Sequence, residues 1–357
     1  MDNIKFFKNI SKSDVAIAGG KGASLGEMTK AKIPVPPGFV VLASAFDRFL
    51  KETNLNAEIE ARLREVNIND TNSVDKASAI IRDAIHDSGM PEDLQAEILG
   101  AFDELCTPSL PSPKKGRENS PLTPGRGNLL VAVRSSATAE DSAVASWAGE
   151  LETYLNTNRE NVVERVKNCW SSLFTPRAIF YRHEKKLIDH YVSVAVVIQI
   201  MIQSEISGIA FTVHPVTEDK NQMIIEAGYG LGEAIVSGQI TPDSYVVLKK
   251  GNEILDINVS VQTRKLIKGI RNTKNTKLRK HDSKNENIET NEWVELSEKE
   301  GGKQKLTGKQ IIELARICAK IEKHYGFPCD IEWAFANEEF YITQSRPITT
   351  LKNNFNY

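Results

Sequence analysis

A chain of 357 residues, 40% hydrophobic and 26% charged, has room for two domains or two large subdomains with proper cores. A formal net charge of −2 removes any global electrostatic argument for binding nucleic acid or a membrane surface. The longest largely apolar run, Val192–Ile202, is too short to span a bilayer, and the N-terminal MDNIKFFKNIS lacks the apolar core of a signal peptide. Cys106, Cys169, Cys318 and Cys329 form no CxxC pair and no Cys/His cluster, so reduced thiols in a cytoplasmic protein are expected.

The first 45 residues read as a short strand, a glycine-rich turn, a helix over about 23–31 and an extended segment around Phe39–Leu42. Residues 45–105 read as helical, with Pro91 starting a helix. Residues 106–128 carry Pro108, Pro111, Pro113, Pro121 and Pro124 among basic residues and are expected to be a surface insertion, with a basic docking loop as the alternative. LLVAVRS (129–135) predicts a strand leading into a loop to about Trp147. The stretch 159–189 predicts helix, kinked or split at Pro176. Val192–Ile202, β-branched and apolar, predicts a buried strand. Further strands are expected at Gly208–Val213, Met223–Ala227 and Ser244–Lys249, then a solvated Lys/Arg-rich hairpin or loop over 264–284. A helix over about 307–325, N-capped by Thr307, precedes a final hairpin. The predicted subdomains are 1–190 and 191–352, with 353–357 a tail.

The final hairpin, DIEWAFANEEFYITQSRP (330–347), carries the sharpest geometric signal. With its short loop centred on Glu338, Glu332 lies across from Gln344, and Arg346 follows on the same face. Directly opposed residues have Cβ atoms about 4.5–5.5 Å apart. A carboxylate, an amide oxygen and a guanidinium there suit Mg²⁺ and a phosphoryl group, since Mg²⁺ takes hard oxygens. Taken alone, the same residues also fit an ordinary half-buried hairpin with solvated polar groups. Near the start, Lys21 follows Gly19 and Gly20 and opens a helix, where backbone and helix N-terminus favour an anion; an exposed lysine on a turn is the alternative. Arg134 ends a strand, and its guanidinium can grip phosphate oxygens bidentately or pair with Glu140 or Asp141. Ser135, Ser136 and Thr138 offer hydroxyls beside it.

These pieces occur in a fixed order: GGKGASLGEM (19–28), IPVPPGF (33–39), AVRSSATAED (132–141), ASWAG (145–149), FTVHPVT (211–217), GLGEA (230–234), and DIEWA with QSRP. In that order they resemble the ATP-binding domain of the phosphoenolpyruvate synthase family, which pyruvate phosphate dikinase and rifampin phosphotransferase share. The resemblance covers about residues 10–352. It implies an α+β, ATP-grasp fold in which two subdomains clamp ATP between antiparallel sheets. It also implies that Lys21, Arg134 and Arg346 act on the nucleotide phosphates, and that Glu332 and Gln344 hold Mg²⁺. Asp141–Gly149, with Gly149 its only glycine, resembles the loop covering the phosphates. Gln199–Ile202 is implied to hold adenine, with Met201 as an apolar wall or as plain core. Glu226 and the Gly230–Glu233 loop are implied to shape the phosphate or ribose side.

The family passes phosphate through a histidine. None of His86, His183, His190, His214, His281 and His324 sits in the glycine- and threonine-rich setting of that phosphohistidine domain. The resemblance therefore implies a Mg·ATP-dependent phosphotransferase half-reaction. The acceptor histidine lies on a partner or on a further domain, and pyruvate is reached only through it. A rifampin-type phosphotransferase domain and a non-catalytic nucleotide-binding module remain as alternatives.

Overall fold

A computed structural model describes residues 3–106, 129–138, 151–185, 192–269, 290–349 and 351. The expected insertion beyond Cys106, the Asp141–Gly149 loop with Gly149 itself, His190, His281 and the 353–357 tail lie outside the described residues. The described residues form helices and antiparallel ladders in two units. The first comprises those up to Glu27 and from Pro37 to Met201; the second comprises Met28–Pro36 and those from Ile202 onward. The sequence expectation divided the chain at 190/191. The strand that follows that point is the hydrogen-bonded centre of the first sheet, and the units divide after Met201.

The first unit contains strand β1 (Ile4–Phe6), helix α1 (Val15–Lys30), which runs on into the second unit's Met28–Pro36 segment, and strand β2 (Gly38–Val41). Helices α2 (Ala43–Glu52), α3 (Leu55–Arg64), α4 (Thr71–Asp87) and α5 (Glu92–Leu105) follow, the last beginning just after Pro91 as expected. Then come β3 (Val131–Ala137), β4 (Thr153–Thr157), α6 (Val162–Ser171), α7 (Pro176–Glu184) and β5 (Val194–Ile200). Pro176 does split the helix: it takes the first position of α7, and the Thr175 hydroxyl caps that helix by accepting from the Ala178 N–H at 3.1 Å. The strand order is β1-β2-β5-β3-β4. All of β5 is buried, as its β-branched run predicts for a central strand. Register decides the two faces of this sheet. Gly38, Val40, Ala132, Arg134, Ser136, Ala195, Val197 and Gln199 share one face. The opposite face, with Val133 and Ser135, meets α6, where Trp170 packs against Phe46 and Phe49 at ring separations of 5.5 and 5.1 Å.

The second unit contains β6 (Ile206–Phe211), β7 (Gln222–Tyr229), α8 (Glu233–Val236), β8 (Asp243–Leu248) and β9 (Glu253–Asn258). A separate ladder joins β10 (Arg264–Lys268) to β11 (Asn291–Glu295). The unit ends with α9 (Glu298–Gly301), α10 (Gly308–Tyr325), β12 (Cys329–Ala336) and β13 (Glu339–Pro347). The main sheet has the order β13-β12-β6-β7-β8-β9. Thr307 caps α10 in a reciprocal box with Gln310, and Gly326 ends it in the left-handed conformation at φ 81°. The buried residues Ile311, Leu314, Ala315, Cys318 and Ile321 form a stripe along α10. That helix lies on the sheet face of Tyr245, Val247 and Lys249, where Lys249 pairs with Glu322 at 2.7 Å. The other face of the sheet is left to Glu226, Asp330, Glu332, Gln344 and Arg346. No helix among the described residues is long and apolar enough to cross a membrane.

Candidate functional site

In the first unit the site begins with a break. Gly19 interrupts α1 at φ 69° and ψ 170°, so Gly20 starts a fresh helical segment with Lys21 in its opening turn. A side chain at Gly19 could not fit, since an added Cβ would lie 2.2 Å from the Ser136 hydroxyl and 2.3 Å from the Ser136 carbonyl oxygen. The turn therefore sits directly on β3. Arg134, two residues back along the strand, is half-buried on the same sheet face. Gln199, buried, lies on that face too, opposite Gly38 and Ala132. The structure thus brings the Lys21 turn, Arg134 and Gln199 to one side of one sheet.

The Ser135 and Thr138 hydroxyls both bond to protein groups. Ser135 points to the opposite face, where its hydroxyl lies 3.0 Å from the Glu152 carbonyl, 3.2 Å from the Cys169 carbonyl and 3.0 Å from the Ser172 hydroxyl. Adjacent strand residues face opposite ways, so the Ser135 side chain lies on the sheet face away from Arg134. Thr138 lies just past β3 with its hydroxyl donating to the Ser193 carbonyl at 3.0 Å. Met201 follows β5; its N–H donates to the Leu130 carbonyl at 2.9 Å, and its sulfur accepts from the Asn156 N–H at 3.0 Å.

In the second unit the β12–β13 hairpin has the expected pairing, reached by another route. Its turn is two residues long, Asn337 and Glu338, both left-handed at φ 51° and 64°. Such a turn alone would set Thr343 opposite Glu332. A one-residue irregularity at that point leaves Thr343 out of the ladder, and Glu332 pairs with Gln344. Arg346 then pairs with Asp330, its Nε donating to a carboxylate oxygen at 2.8 Å and its Nη2 lying 2.8 Å from the same oxygen. Glu226 stands on the same face, two strands from Glu332 through Ile209. Burial, followed by the nearby Asp330 charge, raises the Glu226 pKa. The Gly230 carbonyl, in the loop before α8, accepts from the Ser204 and Ser207 hydroxyls at 2.9 and 2.7 Å, and Glu233 accepts from the Asn291 amide at 2.9 Å.

No group of three or more His, Cys, Asp or Glu side chains is gathered for a metal among the described residues. A carboxylate and an amide oxygen side by side nonetheless suit Mg²⁺, which completes its shell with water and substrate oxygens. Cys329 is no competitor, because burial pushes its thiol up to about 12. Nor do the histidines among the described residues gather. His86 bonds the Ser171 hydroxyl at 2.9 Å, and the His214 ring accepts from the Thr217 N–H at 3.2 Å. Sequence reasoning missed Asp330 as the partner of Arg346, although the same alternation that pairs Glu332 with Gln344 places those two residues opposite each other.

Residues 15–356 match the family model described as pyruvate phosphate dikinase, AMP/ATP-binding domain. The chain is 44% identical over 356 residues to a probable phosphoenolpyruvate synthase of Methanocaldococcus jannaschii, covering 98% of this chain and 27% of the relative. It is 40% identical over 349 residues to a probable phosphoenolpyruvate synthase of Methanothermobacter thermautotrophicus, covering 98% and 46%. It is 39% identical over 384 residues to the phosphoenolpyruvate synthase of Pyrococcus furiosus, covering 98% and 44%. The chain spans less than half the length of these relatives. Since the match takes in the Lys21 turn, Arg134 and the whole β12–β13 hairpin, the chain belongs to the pyruvate phosphate dikinase AMP/ATP-binding domain family.

Proposed function

We propose that this chain binds Mg·ATP and drives the ATP half-reaction of a phosphoenolpyruvate synthase. In that reaction ATP, water and a histidine become AMP, phosphate and a phosphohistidine, and the phosphohistidine delivers its phosphoryl group to pyruvate. The histidine belongs to a phosphohistidine domain outside these residues. The observation that carries the reading is the cross-strand pair Glu332–Gln344 with Arg346 next on the same face. Glu332 and Gln344 would hold Mg²⁺, which when bound offsets negative charge on the phosphates. Arg346, oriented by Asp330, and Arg134 would grip phosphate oxygens in fixed planar geometry. Lys21 adds a cation at the opening of a helical segment, where backbone N–H groups also favour an anion. Gln199 and Met201 would meet the base, and Glu226 the polar side of the nucleotide. The antiparallel sheet in each unit supports assigning the fold to the ATP-grasp type.

The test supplies what these residues lack. Purified chain is mixed with Mg²⁺, labelled ATP and a separately made phosphohistidine domain from a pyruvate, water dikinase. AMP together with acid-labile label on the added domain is the expected result. ATP binding without AMP would reduce the chain to a nucleotide-binding module.

A further inference from the structure

Ser136 is fully buried, and its hydroxyl is engaged in both directions. It donates to the Ala18 carbonyl at 3.0 Å and accepts from the Gly22 N–H at 3.3 Å. Those two backbone groups flank the Gly19 break, so a single side chain closes the turn that carries Lys21. Ser136 lies on the same face of β3 as Arg134, two strand residues or about 7 Å away. The missing Cβ of Gly19 lets backbone and hydroxyl come this close.

We propose that Ser136 is a positioning residue for the nucleotide phosphates: its hydroxyl pins the Gly19–Gly22 turn to β3 and so fixes the Lys21 turn relative to Arg134. The proposal rests on the reading of Lys21 as a phosphate contact and extends it to a residue that touches no phosphate itself. Without the hydroxyl, the Ala18 carbonyl and the Gly22 N–H lose their bridge, and the turn is free to drift from the strand. The consequence is specific: recognition of the phosphate tail suffers, while recognition of the base does not.

The experiment is a double-mutant cycle on the whole chain, read by calorimetric titration with Mg·ATP and, separately, adenosine. Lys21→Ala should weaken ATP. Ser136→Ala should weaken ATP about tenfold and leave adenosine within about twofold. In the Lys21→Ala background, Ser136→Ala should cost less than about twofold further, because the cation it positions is gone. Ser136→Cys keeps a side-chain hydrogen-bonding group, larger and weaker than the hydroxyl, and should fall between wild type and alanine even if the alanine variant folds poorly. Unchanged ATP affinity in a folded Ser136→Cys or Ser136→Ala protein, equal losses for ATP and adenosine, or a fully additive cycle would each overturn the proposal. If wild type binds no ATP, or Lys21→Ala binds it normally, the underlying reading of Lys21 fails and this inference fails with it. The adenosine and Lys21 arms separate the two failures.

Discussion

Glu332 is half-exposed and Gln344 buried, so the proposed metal pair joins a carboxylate open to the ligand with an amide fixed by packing. Replacing Glu332 with alanine removes the charged oxygen without opening a core cavity. Mg-dependent AMP formation with the supplied histidine domain should then fall at least about a hundredfold, while unfolding free energy changes by no more than about 0.5 kcal/mol. An unchanged rate in a folded Glu332→Ala protein would sink the metal assignment. At this scale, legibility in the sequence depended on parity. Glu332 and Gln344 were readable because hairpin alternation puts paired positions on one face. The adjacent serines after Arg134 were harder, because a motif presents both hydroxyls while a strand turns only alternate ones toward the same side. Ser136 shares the parity of Arg134 and Ser135 does not, and the structure follows parity. Which backbone groups Ser136 would meet could not be read, since they come from a turn more than a hundred residues away in the chain.

The hairpin that presents the second unit's polar face is built with an opposing irregularity at each end of its upper half. Its tight turn places a glutamate at φ 64°, a conformation that side chains with a Cβ occupy at a cost. An Asn-Gly pair is the favoured sequence for such two-residue turns. Glu338→Gly should therefore stabilise the chain by about 0.5–1 kcal/mol in urea unfolding and leave Mg·ATP affinity unchanged; a destabilised variant would contradict this account of the turn. The sequence announced the hairpin, but the extra residue at Thr343 has no signature, because Phe340, Tyr341 and Ile342 just before it are all apolar and buried and so fix no parity. Elements with strong local rules were equally readable. Thr307 capped its helix, Pro176 opened one, and the run before Met201 formed a central strand. Strands β4 and β9 escaped notice because they lie at sheet edges, where half-exposed residues blur the hydrophobic period.

Across the molecule, each unit has its own means of holding distant segments together. In the second, Lys305 and Asp243 form an ion pair at 2.8 Å with both side chains at 0% exposure. Asp243 also accepts from the Tyr245 hydroxyl at 2.7 Å and the Ser260 N–H at 3.0 Å, and Lys305 donates to the Gly301 carbonyl at 2.9 Å. Lys305→Met would strand a carboxylate in the interior. The expected loss is about 3–5 kcal/mol in urea unfolding, and a loss below about 1 kcal/mol would show that water reaches the site. No periodicity announces such a pair, because its members lie far apart in sequence and neither stands in a motif. The division of the chain into units has a practical edge as well. Met28–Pro36 belongs to the second unit, where Pro34 accepts from the Ile342 N–H at 2.8 Å and the Ala31 carbonyl accepts from Lys320 at 3.0 Å. A gene fragment starting at Ile202 would therefore encode a sheet missing a piece of its own border, with an amide of β13 laid bare for adventitious pairing. Anyone dissecting this protein by expressing halves would be better served by a circular permutant, or by co-expression with a peptide spanning 28–36, than by a cut at the obvious seam.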